Sequence, residues 1–342
     1  MNESQIQQIH SLFSEQKQVL IIGHRNPDGD AVGSSLALSL TLEKLGHNTK
    51  VIMPNALPKS LKWLPGCDRI LQYEIDKKAV DSILEDIEVV FTLDFNSLSR
   101  VGELQQPLES LHKKGVPFVM IDHHQSPEDY AIVTYSDVQM SSTAQMIYHF
   151  IESVGWLNQI DASIATCIYT GILTDTGSFK YRSTTATTHR VVANLLEAGA
   201  VNWQISNNIY DANSENRLKL LSTALNNLVV LPTYHTAYIT LSQDELDAHH
   251  FQKGDTEGFV NYALSIENIN LAVIFIESKQ EEIIKISLRS KGDFSVNEMS
   301  REHFNGGGHN NAAGGRSTLS LEQTVNYFRE ILDTYKNDLT YD

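Results

Sequence analysis

Apolar residues in the first half of the chain fall into two patterns that alternate. Residues 19–22 (VLII), 89–93 (VVFTL) and 118–121 (FVMI) are short runs without a charge, as expected of strands covered on both faces. Residues 50–53 and 70–73 read as further short strands. Between them, residues 6–13, 31–45, 80–87, the stretch reaching Lys114, 142–154 and 162–173 read as helices. The last of these (ASIATCIYTGIL) is apolar almost all round and should be buried. Strands alternating with helices predict an α/β fold: a parallel sheet with helices on both faces and strand ends gathered along one edge.

Beyond this region the pattern changes. Residues 187–228 are largely helical, and then strands at 237–240, 271–276 and 283–288 are joined by helices at 296–303 and 321–335. The expected organisation is a first domain over residues 1–186, a helical linker over 187–228, and a smaller α/β domain over 229–342. Within that smaller domain, residues 305–315 (NGGGHNNAAGG) read as a glycine-rich loop. Gly306 to Gly308 would let the backbone approach an anion and point N–H groups at it, with His309 alongside. Ser287 and Arg289 end the strand before it, and the planar fork of Arg289 suits a terminal phosphate or carboxylate.

The chemistry lies where the buried elements stop. The first strand runs into His24, Asp28 and Asp30, the 89–93 strand into Asp94, the 118–121 strand into Asp122, His123 and His124, and the buried helix into Asp175. Each cluster alone also reads as ordinary turn chemistry; in the first, Pro27, Asp28 and Gly29 would make the turn and Asp30 would cap the helix. Four such clusters, each following a buried element on what should be one edge, point instead to a metal site. Carboxylates mixed with imidazole suit Mn²⁺, Mg²⁺, Fe²⁺ or Zn²⁺, and the lack of cysteine argues against a structural zinc site. Mn²⁺ is the first choice, with Mg²⁺ and Fe²⁺ as alternatives.

Four carboxylates (Asp28, Asp30, Asp94, Asp175) and two imidazoles (His24, His123) exceed what one small cation needs, and suit two ions sharing a carboxylate. Such a pair, about 3.5–4 Å apart, lowers the pKa of a bridging water and clamps the oxygens of an in-line displacement at phosphorus. Phosphoester hydrolysis is the expected reaction. Asp122 would accept a hydrogen bond that fixes the orientation of a neighbour, leaving His124 and Arg100 to face the phosphate. The competing readings are a packed histidine for His124 and a surface ion pair for Arg100. The helix after Asp30 would offer its positive end to the incoming charge.

Charge narrows the substrate. With 42 acidic and 26 basic side chains the net charge is −16, which opposes binding of a long polyanion but leaves a short phosphorylated ligand compatible with a cation-filled site. Cys67 and Cys167 are too few for a disulfide framework and read as small core residues. No stretch approaches the roughly 20 apolar residues of a membrane span, and the expected location is cytoplasmic.

These residues resemble the motifs of the DHH phosphoesterase superfamily. His24-Arg25-Asn26-Pro27-Asp28-Gly29-Asp30 is similar to its first motif, Asp94 to its second, Asp122-His123-His124 to the one that names it, and Thr174-Asp175-Thr176-Gly177 to its fourth. The GGGHNNAAGG stretch resembles the signature of the DHH-associated substrate domain. The resemblance implies one ion held by His24, Asp28 and Asp94 and a second by Asp30, Asp94, His123 and Asp175, with Asp94 as the bridge. It implies catalytic roles for Asp94, Asp122, His123 and His124. Substrate contacts would come from Arg100, His124, Ser287, Arg289, Gly307, Gly308 and His309. It further implies a two-domain enzyme that cleaves very short RNA to mononucleotides and removes the 3′-phosphate of adenosine 3′,5′-bisphosphate (pAp), the substrate spanning the domains. Hydrolysis of linear di-adenylate or cyclic di-AMP is the alternative, and a non-catalytic nucleotide-binding module ranks last because all six ligand positions are filled. The expected partners are short oligoribonucleotides and mononucleotide substrates, with no long duplex, no membrane, and a homodimer left open.

Overall fold

The computed structural model describes residues 1–340 and divides into two units, Met1–Ala212 and Asn213–Asp342. In the first unit the strands are β1 (Gln18–Ile22), β2 (Asn48–Met53), β3 (Leu71–Gln72), β4 (Val89–Leu93), β5 (Phe118–Asp122) and β6 (Val133–Ser136). They form one parallel sheet in the order β3-β2-β1-β4-β5-β6. The helices are α1 (Glu3–Leu12), α2 (Gly29–Lys44), α3 (Tyr73–Ile83), α4 (Gln105–Lys113), α5 (Thr143–Ser153), α6 (Ala162–Asp175), α7 (Ala186–Glu197) and α8 (Asn202–Tyr210).

The charge-free runs follow from burial on both sides. Val19 and Ile21 of β1, with Phe91 and Ile121, pack against Leu36 of α2, Ile147 of α5 and Ile168 of α6. Leu20 and Ile22, with Val90 and Phe118, face Val80 of α3 and Leu108 of α4. Every residue of β1 from Val19 to Ile22 is fully buried, at about 1.5–3 kcal/mol of hydrophobic stabilisation each. The strand order reverses direction between β1 and β4, so the connections leave the two strands on opposite faces and open a crevice at their carboxyl ends.

Several elements differ from the sequence expectation. The helix expected at 80–87 is α3, which starts at Tyr73 and truncates the preceding strand to two residues. The edge strand β6 was not expected, because only Val133 of its four residues is buried. The buried helix α6 continues through Asp175, so this carboxylate is carried by the last helical turn. Of the helices expected to link the domains, α7 and α8 belong to the first unit, and α9 (Glu215–Asn226) to the second.

The second unit continues with β7 (Val229–Leu231), β8 (Thr236–Leu241), α10 (Gln243–Ala248), α11 (Phe259–Leu264), β9 (Leu271–Ser278), β10 (Ile283–Ser290), α12 (Val296–His303), β11 (Gly307–His309), β12 (Ala312–Ser317) and α13 (Leu321–Tyr335). Its sheet runs β11-β12-β10-β9-β8-β7, antiparallel except for β8 with β9. One face packs on Val296, Met299 and Phe328 of α12 and α13, and the other on Leu220, Leu246 and Phe259 of α9 to α11. The stretch read as a glycine-rich loop is the β11–β12 hairpin. Among the described residues no helix is long and apolar enough to cross a membrane.

Candidate metal centre

The segment after β1 is held by its own polar groups. Asp28, in extended conformation, is the N-cap of α2, and its Oδ1 accepts the N–H groups of Asp30 at 3.0 Å and Ala31 at 3.1 Å. Asp28 rather than Asp30 therefore caps the helix, because Asp30 already has helical geometry. The cap also occupies N–H groups that were expected to receive substrate charge, and the Val32 N–H is taken by the Asp28 carbonyl at 3.1 Å. Ahead of the cap, Asn26 has φ of +57°. Its N–H donates to Asn55 Oδ1 at 2.7 Å, and Asn55 Nδ2 donates to Asn26 Oδ1 at 2.8 Å. This buried asparagine after β2 pins the loop between His24 and Asp28, and no sequence pattern marked it.

Asp30 turns toward the start of α5. Its Oδ2 accepts the Thr143 N–H at 2.6 Å and its Oδ1 the Ala144 N–H at 2.8 Å, so the positive end of α5 holds a protein carboxylate. Asp94 follows β4 with φ of +64°, a conformation rare outside glycine but tolerated by aspartate. Its two oxygens face different histidines: Oδ2 is 3.3 Å from His24 Nε2, and Oδ1 is 3.5 Å from His123 Nε2 and 3.0 Å from Thr143 Oγ1. Around His123 Nε2 stand Asp175 Oδ2 at 3.5 Å and Asp30 Oδ2 at 3.8 Å; Asp28 Oδ1 is 4.0 Å from His24 Nε2. The donor atoms of His24, Asp28 and Asp94 lie within 4.8 Å of one another, as do those of Asp30, His123 and Asp175. His124 Nδ1 lies 2.6 Å from Asp122 Oδ1, which places the Nδ1 proton in that bond. Arg100 is half-buried, and its carbonyl accepts the Arg25 N–H at 2.8 Å, which ties the segment after β4 to the one after β1.

The electrostatics are those of a site short of positive charge. Burial disfavours ionisation of Asp94, yet hydrogen bonds from His123 and His24 and the charges of His124 and His24 hold it well below the usual carboxylate range. Burial, with the Asp94 and Asp175 charges, pushes Asp30 well up, and burial together with Asp28 and Asp94 raises Asp175 to about 7. At His24 burial opposes the charge, but the Asp94 hydrogen bond and the Asp28 and Asp94 charges raise it to about 9. His123 is raised well above the ordinary imidazole value by Asp175, Asp94 and Asp30 against its burial. Without cations, protons alone balance this cluster. Divalent ions fit the donor set because they can replace those protons on oxygen and imidazole ligands.

The three helices behind the site touch through glycines. A Cβ on Gly171 of α6 would stand 2.4 Å from Ala144 Cβ and 2.8 Å from Asp30 Oδ1, and one on Gly33 of α2 would stand 2.5 Å from the Cys167 carbonyl. Gly171→Ala is therefore expected to destabilise the fold by about 1–3 kcal/mol and to weaken ion binding through Asp30. Thermal melts and metal titration would check this, and a variant that melts and binds as wild type would refute it.

In the second unit, the Gly306 N–H is taken by the Ser300 carbonyl at 3.1 Å and the Gly308 N–H by Asn297 Oδ1 at 2.9 Å. These groups are not available as the anion cradle expected from the sequence. What the hairpin supplies is register: Arg289 on β10 and His309 on β11 both pair with Ala312, and Ser287 and Gly307 both pair with Gly314. Ser287 and Arg289 share one face of β10, and the missing Cβ of Gly314 meets only the Ile286 carbonyl, at 3.8 Å. The glycine thus leaves open ground beside the serine and arginine.

Family models match both units: the DHH family, N-terminal domain, over residues 18–172, and the DHHA1 domain over residues 233–338. The chain is 28% identical over 328 residues to the bifunctional oligoribonuclease and PAP phosphatase NrnA of Thermus thermophilus, covering 94% of this chain and 90% of that protein. It is 26% identical to the cyclic-di-AMP phosphodiesterase PdeA of Listeria monocytogenes over 96% of this chain, but spans only 49% of that protein. A crystal structure of an exopolyphosphatase-related protein from Bacteroides fragilis is 38% identical, superposes with a TM-score of 0.94, and covers 99% of this chain and 98% of its own. With carboxylates and histidines meeting at the carboxyl ends of β1, β4 and β5 and both domains matched, the chain belongs to the DHH family of phosphoesterases, is a hydrolase, and carries a DHHA1 domain.

Proposed function

We propose that the protein is a Mn²⁺-dependent phosphoesterase that hydrolyses very short oligoribonucleotides to mononucleotides and dephosphorylates pAp to AMP. The observation that carries this reading is the Asp94 carboxylate, which turns one oxygen toward His24 and the other toward His123. His24, Asp28 and Asp94 would hold one ion, and Asp30, Asp94, His123 and Asp175 the other. When bound, such a pair supplies Lewis acidity and an activated water for in-line attack at phosphorus. The chain's own groups do the rest. Asp122 orients His124 so that its Nε2 can meet a phosphate oxygen or move a proton. Arg100, whose charge reaches His24, would neutralise the phosphate. In the second unit, Arg289, Ser287 and His309, with the backbone of Gly307, would contact the substrate.

A second reading is hydrolysis of linear di-adenylate or cyclic di-AMP. The 28% identity to NrnA over 328 residues supports the first. Steady-state rates under Mn²⁺ with pAp, linear di-adenylate, cyclic di-AMP and a long single strand separate them. pAp and dinucleotides are expected to be turned over best, and the long strand worst, because the net charge of −16 repels a polyanion. A clear preference for cyclic di-AMP would overturn the choice, and equal activity on the long strand would refute the short-substrate limit. Arg289→Ala is expected to raise KM about tenfold or more while ion binding persists, since it removes a charge-assisted substrate contact and none of the six ligand side chains. An unchanged KM would remove Arg289 from the substrate site.

A further inference from the structure

We infer that Thr143, which no motif marked, is a positioning residue that couples the two ion positions; the inference rests on the two-ion reading above. Thr143 is the first residue of α5, fully buried, and touches two carboxylates at once. Its N–H donates to Asp30 Oδ2 at 2.6 Å and its hydroxyl to Asp94 Oδ1 at 3.0 Å. An ionised carboxylate only accepts, so the hydroxyl proton must be the one shared.

The consequence concerns rotation. The terminal torsion of an aspartate is broad, so nothing intrinsic keeps one Asp94 oxygen on each side. In the absence of cations, His24 and His123 help to hold it. Were each imidazole to give its Nε2 to an ion, those two contacts would be lost. The Thr143 hydroxyl is then the one hydrogen-bond donor left on the Asp94 side chain among the described residues. It stands on a helix start that is itself fixed: Ser142 Oγ caps α5 through the Gln145 N–H at 3.0 Å, and Ala144 N–H is tied to Asp30. The group is thus preorganised by elements already in place. It would keep one Asp94 oxygen toward the His24 side and the other toward the His123 side, as a residue shared by two ions requires.

The test uses chelator-treated full-length protein titrated with Mn²⁺ alone, read by calorimetry and by electron paramagnetic resonance. Wild type is expected to take two ions and to show the signal of a spin-coupled pair. Thr143→Val, which keeps size and backbone but lacks the hydroxyl, is expected to bind one ion nearly as wild type, to bind the second about 10–100-fold more weakly, and to lose the coupled signal. Thr143→Ser should stay within about threefold of wild type, as expected if the hydroxyl alone is needed. Should Thr143→Val not fold by circular dichroism, Thr143→Ala takes its place with the same expected outcome. A hydroxyl-less variant that keeps both affinities and the coupled signal overturns the inference, as does one that weakens both ions equally. Wild type that takes only one ion overturns the two-ion reading first, and this inference with it.

Discussion

Asp94→Ala is expected to lose ion occupancy at both positions and to reduce turnover by about a thousandfold or more. The carboxylate offers one oxygen toward His24 and the other toward His123, so on the two-ion reading proposed above truncation would remove a ligand from each ion rather than from one. The charge stabilisation lost at the reacting phosphate is several kcal/mol, and each 1.36 kcal/mol is a factor of ten. Asp94 has φ of +64°, so alanine adds a backbone cost of about 1–2 kcal/mol that is unrelated to metal. Asp94→Asn separates the two effects, because asparagine tolerates the conformation and keeps one oxygen but lacks the charge. The asparagine variant should melt close to metal-free wild type and still fail to load two ions. Metal content after gel filtration, with turnover on pAp, is the measurement; full occupancy in either variant would remove the bridge.

How much of this was legible in the chain depends on whether a feature is local. The runs at 19–22, 89–93 and 118–121 declare burial on both faces, and the residue after each run falls at a strand end because a parallel sheet aligns its strands in one direction. The cluster of His24, Asp28, Asp30, Asp94, His123 and Asp175 could therefore be assembled from strand ends plus one helix end. What could not be read is set by contacts between distant residues. Thr143 reaches Asp30 and Asp94 across more than a hundred and about fifty positions respectively, and Asn55 clamps Asn26 across 29. Neither has a periodicity to betray it. The positive φ of Asp94 is likewise imposed by tertiary packing. In the second unit, glycines that lower strand propensity nonetheless pair: Gly315 pairs with Ile286 and passes against Phe304, where an added Cβ would stand 2.7 Å from the Phe304 Cβ.

Removing the ions should make the protein less stable as pH rises, and the gap between metal-loaded and metal-free forms should widen from pH 6 to pH 9. The sign follows from two raised values. Asp175 rises from 3.8 to about 7, so its protonated form contributes stability that is complete below 3.8 and is lost as pH climbs through about 7, the last part of that loss falling in this window. His24 rises from 6.5 to about 9, so its charged form contributes stability that is complete below 6.5 and is lost as pH climbs through about 9. The His24 shift alone corresponds to about 3 kcal/mol. Asp94 is shifted the other way, and its contribution fades only in strong acid, outside this window. Ions compete with these protons, so binding tightens as pH rises and releases protons as it occurs. At free Mn²⁺ about 100 times Kd, each occupied site adds about 2.7 kcal/mol, or together a rise in Tm of about 10–20 °C for a domain of this size. Melts in Mn²⁺ and in chelator across that pH range would show it. A gap that stays constant or narrows would mean that the carboxylates and histidines at the ends of β1, β4 and β5 do not exchange protons for metal, and the two-ion reading would lose its electrostatic basis.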